Sequence, residues 1–204
     1  MSLIVVGGQS RKIGKTSVVA ELISALRQYE WLAAKITQHG HEVCSGDGAC
    51  DCVSAAHTAA ITEERDRSGK TDTSRFLVAG AVRALWVRTQ PGHLADAMTR
   101  LREEMTKARN VIIESNSVMQ FLQPDLYLVV LDPRRADFKA SAREWLGQAD
   151  ALIVQGEREV SFDLVQQRPV FRLDPARFWS QELVDFVRYT LDAGTAQSEA
   201  TDSV

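Results

Sequence analysis

Leu3-Ile4-Val5-Val6-Gly7-Gly8-Gln9-Ser10-Arg11-Lys12-Ile13-Gly14-Lys15-Thr16-Ser17 decides how the rest of the chain is read. Residues 3 to 7 form a short apolar run rich in β-branched side chains, the composition of a buried strand. Behind Ser17, the apolar residues Val18, Val19, Leu22, Ile23 and Leu26 recur at helical spacing. A strand, a glycine-bearing turn, Gly-Lys-Thr and a helix are the layout of a phosphate-binding loop. Glycines let backbone N–H groups curl around an anion, and the helix turns its positive end toward it. Lys15 supplies a point charge to the β- and γ-phosphates, and the Thr16 hydroxyl is a ligand for Mg²⁺. The common spacing leaves four residues between the first glycine and Gly-Lys; here Gly8 and Gly14 are separated by five, Gln9 to Ile13.

With 204 residues, 45% of them apolar and 25% charged, the chain has the size and composition of one globular α/β domain. A net charge of −3 argues against a partner held by phosphate neutralisation along a nucleic acid. No apolar run reaches the roughly 20 residues that span a bilayer, and strand one starts almost at once, without the pattern of a signal peptide. A cytoplasmic protein is the expectation, with its three cysteines as thiols or metal ligands rather than disulfides.

Beyond the first helix, Trp31–Thr37 reads as a second strand. From Gln38 to about Thr71 the periodicity dissolves, apart from a possible short helix over Ser54–Ala60. Order returns as alternating helices and strands: a helix over Thr71–Ala81, a strand over Val82–Thr89, a helix over Leu94–Lys107, and strands at Asn110–Glu114 and Leu126–Leu131. A helix over Phe138–Leu146, strands at Ala151–Val154 and Val170–Leu173, and a helix over Gln181–Leu191 complete the series. Such alternation implies a mostly parallel sheet covered by helices on both faces, a three-layer α/β architecture. The domain is expected to span residues 1–192, with an insertion at about 38–70 and a disordered tail over 193–204.

In parallel α/β sheets ligands bind beyond the carboxyl ends of the strands, and the chemistry-bearing residues gather there. Lys35, Thr37 and His39 end or follow the second strand, Glu114 ends the Val-Ile-Ile strand and Asp132 ends the next. Glu114 suits the organisation of Mg²⁺ or of an attacking water, and Asp132 competes for the same task. In Gly69-Lys70-Thr71-Asp72-Thr73-Ser74-Arg75, Thr71 or Asp72 can cap the following helix, and the Lys and Arg can hold a second anion. Within residues 41–52, His41, Cys44, Cys50 and Cys52 could ligate Zn²⁺ or an iron–sulfur centre. Their Cys-x5-Cys-x-Cys spacing equally suits exposed or redox-sensitive thiols. Gln155-Gly156-Glu157 follows the Ala151–Val154 strand, where base-reading residues lie by positional analogy.

These residues together resemble the P-loop family of molybdopterin-guanine dinucleotide biosynthesis adaptor proteins over about residues 3–115. The resemblance rests on the Gly14-Lys15-Thr16 loop, a second strand ending Lys35-Ile36-Thr37-Gln38-His39, the Gly69–Arg75 turn leading into Ala79-Gly80-Ala81, and the strand ending in Glu114. It implies a P-loop NTPase fold that binds GTP or ATP with Mg²⁺, hydrolyses it slowly, and works as a homodimer beside molybdopterin guanylyltransferase. By the same resemblance Gly8, Gly14, Lys15, Thr16, Ser17, Lys35, Ser74 and Arg75 bind the nucleotide. Lys15, Asp72 and Glu114 are then catalytic, and Thr16 and Glu114 hold Mg²⁺. The chain departs from the family in its longer loop and in Ser115-Asn116-Ser117 after Glu114, where Glu-Gly is common. The five-residue spacing is similar instead to dethiobiotin synthetases, which implies an ATP-dependent ligase or kinase as the alternative. A metal- or redox-responsive switch is a third reading, carried by the cysteine cluster alone.

Overall fold

In a computed structural model, the described residues are 1–38, 58–158, 168–174 and 177–201, with side chains described through residue 193. In chain order they form β1 (Ser2–Gly8), α1 (Lys15–Ala25), β2 (Trp31–Gln38), β3 (Ala59–Glu63), α2 (Asp72–Ala79), β4 (Arg83–Thr89), α3 (Ala95–Met105), β5 (Asn110–Glu114), β6 (Leu126–Leu131), α4 (Ala140–Trp145), β7 (Ala151–Gln155), β8 (Val170–Leu173) and α5 (Gln181–Thr201). The sheet order is β3-β4-β2-β5-β1-β6-β7-β8. Every pairing is parallel except β3 against β4.

Parallel strands need crossover helices, and these bury both faces of the sheet. The central strands are correspondingly buried along their whole length, β1, β5, β6 and β7 alike, with polar residues only at their ends. On one face Ile4, Val6, Trp31, Ala33, Ile112 and Leu128 pack with Val18 and Leu22 of α1, Phe76 of α2, and Leu183 and Val187 of α5. On the other, Leu3, Val5, Leu32, Ala34, Val111 and Ile113 pack with Met98 and Leu101 of α3. The expected three-layer α/β arrangement is therefore present, with β1 at its centre.

Register fixes what comes together at the carboxyl edge. Glu114 lies beside Val6 of β1 and beside Lys35 of β2. Side chains alternate faces along a strand, so Lys35 and Glu114 follow Ala33 and Ile112 onto the α1 side. The loop Gln9–Gly14 leaves β1 directly above them.

Two expectations need correction. Ala59 and Ala60, read as the end of a short helix, open strand β3, which runs antiparallel to β4 from Ala59 opposite Thr89 to Glu63 opposite Leu85. Pairing with residues about 25 positions downstream overrides a local preference that Ala-Ala states only weakly. The last helix, expected to end at Leu191, runs on through Thr201 into the stretch read as a disordered tail. Its stretch beyond Leu191, residues 192–201, includes three alanines, a Gln and a Glu, which favour helix, beside Gly194 and Thr195, which do not.

Candidate functional site

The loop after β1 is held open by backbone geometry and by polar side chains at the ends of two other strands. Gly14 caps α1 with φ of 85°, and Lys12 also lies in the left-handed region at 56°. No acidic residue occupies the first turn of α1, so its positive end and amide groups face the loop without a built-in counter-charge. From the end of β5, the Asn116 carboxamide brackets Gly8: its oxygen accepts the Gly8 N–H at 2.7 Å and its nitrogen donates to the Gly8 carbonyl at 2.9 Å. From the end of β7, the Gln155 nitrogen donates to the Ile13 carbonyl. A Cβ on Gly14 would collide with the Phe178 ring and the Gln155 carboxamide as well as strain the backbone. Gly14→Ala is therefore expected to lower stability by about 2 kcal/mol or more; urea unfolding checks this, and a change within about 0.5 kcal/mol would contradict the loop geometry.

Lys15 folds back into the loop, donating to the Ser10 carbonyl at 2.8 Å. Burial, reinforced by the charges of Lys139 and Lys35, pulls its pKa down to about 8, against the opposing pull of Glu114 and Asp72.

Beneath it lies a compact ionic cluster. The Thr16 hydroxyl donates to Glu114 Oε2 at 2.7 Å. The Lys35 ammonium donates to Glu114 Oε1 at 2.9 Å and to Thr16 Oγ1 at 3.2 Å, and pairs with Asp72 Oδ2 at 2.6 Å. Glu114 is only 5% exposed. Burial disfavours the charge on Lys35, but Glu114 and Asp72 more than offset this and hold its pKa above the usual lysine value. Three hard oxygen donors thus converge on one positive charge, the donor chemistry that Mg²⁺ takes.

Asp72 and Arg75 reach this centre from α2. Thr71, not Asp72, is the N-cap, accepting the Ser74 N–H at 3.1 Å, which leaves the Asp72 carboxylate for Lys35. Arg75 donates to the Ser17 hydroxyl at 2.9 Å. Ser74 is fully buried and its hydroxyl accepts the Gly69 N–H at 2.8 Å, bracing the turn. Asp132 is engaged in its own turn, accepting the Arg134 backbone N–H at 3.0 Å and its guanidinium at 2.8 and 3.0 Å. Arg134 first of all holds the Asp132 carboxyl below the usual range. It therefore does not join the cluster that Glu114 anchors.

Gln9, Asn116, Gln155 and Lys139 were not read from the sequence as supports of this loop, and Gln155 alone was singled out, as a base reader. The first three are polar residues that sit buried at strand ends, and a polar residue ending an apolar strand was the one available signal. Gln155, placed by analogy where a base is read, faces the loop carbonyl of Ile13 instead. His41, Cys44, Cys50 and Cys52 lie outside the described residues. Among the described residues no group of three or more His, Cys, Asp or Glu could hold a metal ion. No helix there is long and apolar enough to cross a membrane.

This architecture recurs in solved structures. No family model matches the chain, and no curated protein matches it. HypB from Helicobacter pylori, solved in complex with nickel, superposes with a TM-score of 0.52 at 15% identity, over 94% of this chain and 87% of that one. LpxK from Aquifex aeolicus, solved in complex with ATP, gives 0.50 at 18% identity over 84% of this chain, which spans only 53% of the LpxK chain. A MobB homologue from Bacillus stearothermophilus gives 0.47 at 14% identity over 95% and 99% of the two chains, a looser correspondence. The chain shares the three-layer α/β fold of HypB and LpxK.

Proposed function

We propose that the chain binds a nucleoside triphosphate with Mg²⁺ in the loop between β1 and α1 and hydrolyses it slowly. The observation that carries this is the convergence of Thr16, Glu114 and Asp72 on a single cation directly beneath the loop lysine. Loop amides and Lys15 neutralise phosphate charge. Lys15 exchanges the Ser10 carbonyl for phosphate oxygens, and its accessible pKa favours the charged form at neutral pH. Thr16 and Glu114 would hold Mg²⁺, with Asp72 beside them, and the ion would supply neutralising charge to the phosphates. Lys35 holds the two carboxylates in place, and Arg75 orients Ser17 at the first turn of α1. Gly8, Gly14 and Ser17 shape the cradle, and Ser74 keeps the Gly69–Thr71 turn behind it.

Titrating wild type with ATP and with GTP, each with and without Mg²⁺, tests this. Mg²⁺ is expected to tighten binding, and Glu114→Gln to lose about tenfold or more of that gain while still binding nucleotide. A wild type that binds neither nucleotide removes the reading.

The narrower role, in molybdopterin-guanine dinucleotide assembly beside a guanylyltransferase and as a homodimer, is supported by the sequence motifs Lys35–His39 and Asp72–Arg75. The dethiobiotin synthetase-like alternative is supported by the five-residue loop, whose left-handed turn at Lys12 takes up the added length. Turnover without any acceptor favours the first, and strict dependence on an acceptor favours the ligase or kinase.

A further inference from the structure

The loop between β6 and α4, residues 132–139, brings a cation to the phosphate loop that the site described above does not use. The two loops are bolted together through Gln9. Its side-chain nitrogen donates to the carbonyls of Arg135 at 2.9 Å and Asp137 at 3.2 Å, and its side-chain oxygen accepts the Asp132 N–H at 3.0 Å. The Lys139 N–H donates to the Gln9 carbonyl at 2.9 Å. The Arg135 guanidinium donates to the Arg11 carbonyl at 3.2 Å. Lys139 is thus fixed one hydrogen bond away from the second residue of the loop and cannot drift from it.

Its neighbours Arg134 and Arg135 are paired with Asp132. The Lys139 side chain is accessible, and among the described residues its ammonium makes no hydrogen bond or ion pair. Its surroundings are cationic. Partial burial first, then Arg11, and Lys35 as well, pull its pKa below the ordinary lysine value, while Glu114 and Asp137 pull it up. Lys15 in turn feels Lys139 as a repulsive neighbour. Of the acids around the loop, Glu114 and Asp72 are already engaged by Thr16 and Lys35, which leaves Asp137 as the counter-charge acting on Lys139. Four cations, Arg11, Lys15, Lys35 and Lys139, therefore surround one loop with little counter-charge left, an arrangement that an incoming polyanion completes.

We propose that Lys139 is a third lysine of the phosphate site, contacting the terminal phosphate of the bound nucleoside triphosphate. This rests on the nucleotide reading above. The inner phosphates fall to the loop amides and the first turn of α1. The terminal phosphate lies outermost, toward Glu114 and Lys35, the groups whose charges Lys139 feels. Lys139 approaches from the β6 side, across the loop from Lys35 on β2. Its contact belongs to the triphosphate and is absent with a diphosphate.

The test measures binding of a non-hydrolysable triphosphate analogue and of the matching diphosphate, with Mg²⁺, to wild type, Lys139→Met and Lys139→Arg. Lys139→Met is expected to lose about tenfold in affinity for the triphosphate and no more than about twofold for the diphosphate, with Lys139→Arg recovering most of the loss. Its dependence on salt should flatten for the triphosphate only. Removing an unpaired cation from a cationic cluster should leave the melting temperature of the free protein unchanged or raised, which separates lost contact from lost fold. Equal losses for both nucleotides, or none for either, overturn the role of Lys139 and leave the nucleotide reading standing. A wild type that binds neither nucleotide overturns both.

Discussion

Lys15→Ala is expected to weaken nucleoside triphosphate binding by roughly 10- to 100-fold while making the free protein more stable. The first effect follows from losing a charge-assisted contact, worth about 1.5–3 kcal/mol, to the phosphates. The second follows from the cost of holding that charge in the folded chain. Burial sets the folded pKa of Lys15 at about 8, below its value in an unfolded chain. Between those two values the unfolded state binds more protons, so this group makes stability rise with pH across that window and exacts its full cost below it. The stabilisation of Lys15→Ala should accordingly be largest near neutral pH and shrink as pH climbs from about 8 toward about 10.4. Calorimetric titration gives the binding loss, and unfolding at pH 7 and pH 10 gives the rest. Undiminished binding would remove Lys15 from the phosphate site; a destabilised variant at neutral pH would mean that the lysine is held by its surroundings rather than tolerated by them.

Lys35→Met has the opposite signature. Breaking a buried pair by removing one partner costs about 3–5 kcal/mol. Lys35 is 16% exposed and Asp72 44%, so solvent screening reduces the expectation to about 2–3 kcal/mol. For a chain of this length that is a fall in melting temperature of roughly 5–10 °C. The folded pKa of Lys35 lies above its unfolded value, so its contribution is fully present below about pH 10.4 and fades only as pH rises through the folded pKa. Wild type and variant should differ by a constant amount from pH 7 to pH 9 and converge only as pH rises past the ordinary lysine range, through the raised folded pKa of Lys35. A difference below about 0.5 kcal/mol at pH 7 would mean that Lys35 does not hold the two carboxylates.

The sequence showed the strand, loop and helix of β1 and α1 and most of the sheet because these are written locally. Apolar runs such as Asn110–Glu114 and Leu126–Leu131 have no reading other than buried strands once helices flank them, and their observed bounds agree with the expected ones. Lys35, Asp72 and Glu114 were legible as strand-end or turn residues, but their meeting depends on the β1–β5–β2 register, which no local pattern states. β3 escaped because an edge strand with one large apolar residue, Ile61, is made by its partner. Asp132 was misleading in the other direction. An acid at a strand end looks the same whether it serves a site or its own turn, and only the arginines that follow it, Arg134 and Arg135, decide for the turn. Lys139 carried no signal, since its position depends on Gln9 reaching across to a loop about 125 residues away.

The direction of β3 has a topological consequence. β2 ends at Gln38 and β3 starts at Ala59, opposite the last residue of β4. Because β3 runs against β4, the chain leaves and re-enters the sheet at the same carboxyl edge, with only β4 between the two points, roughly 10 Å apart. The end of β2 and the start of β3 therefore meet the sheet at one edge, and no strand has to be threaded around the connection. Loop-closure entropy changes by only about 0.6 kcal/mol for each doubling of length, so the sheet tolerates a short, long or entirely different segment there. The position is a graft point: the chain between β2 and β3 can change in length while the register that sets Lys35 beside Glu114 is left untouched.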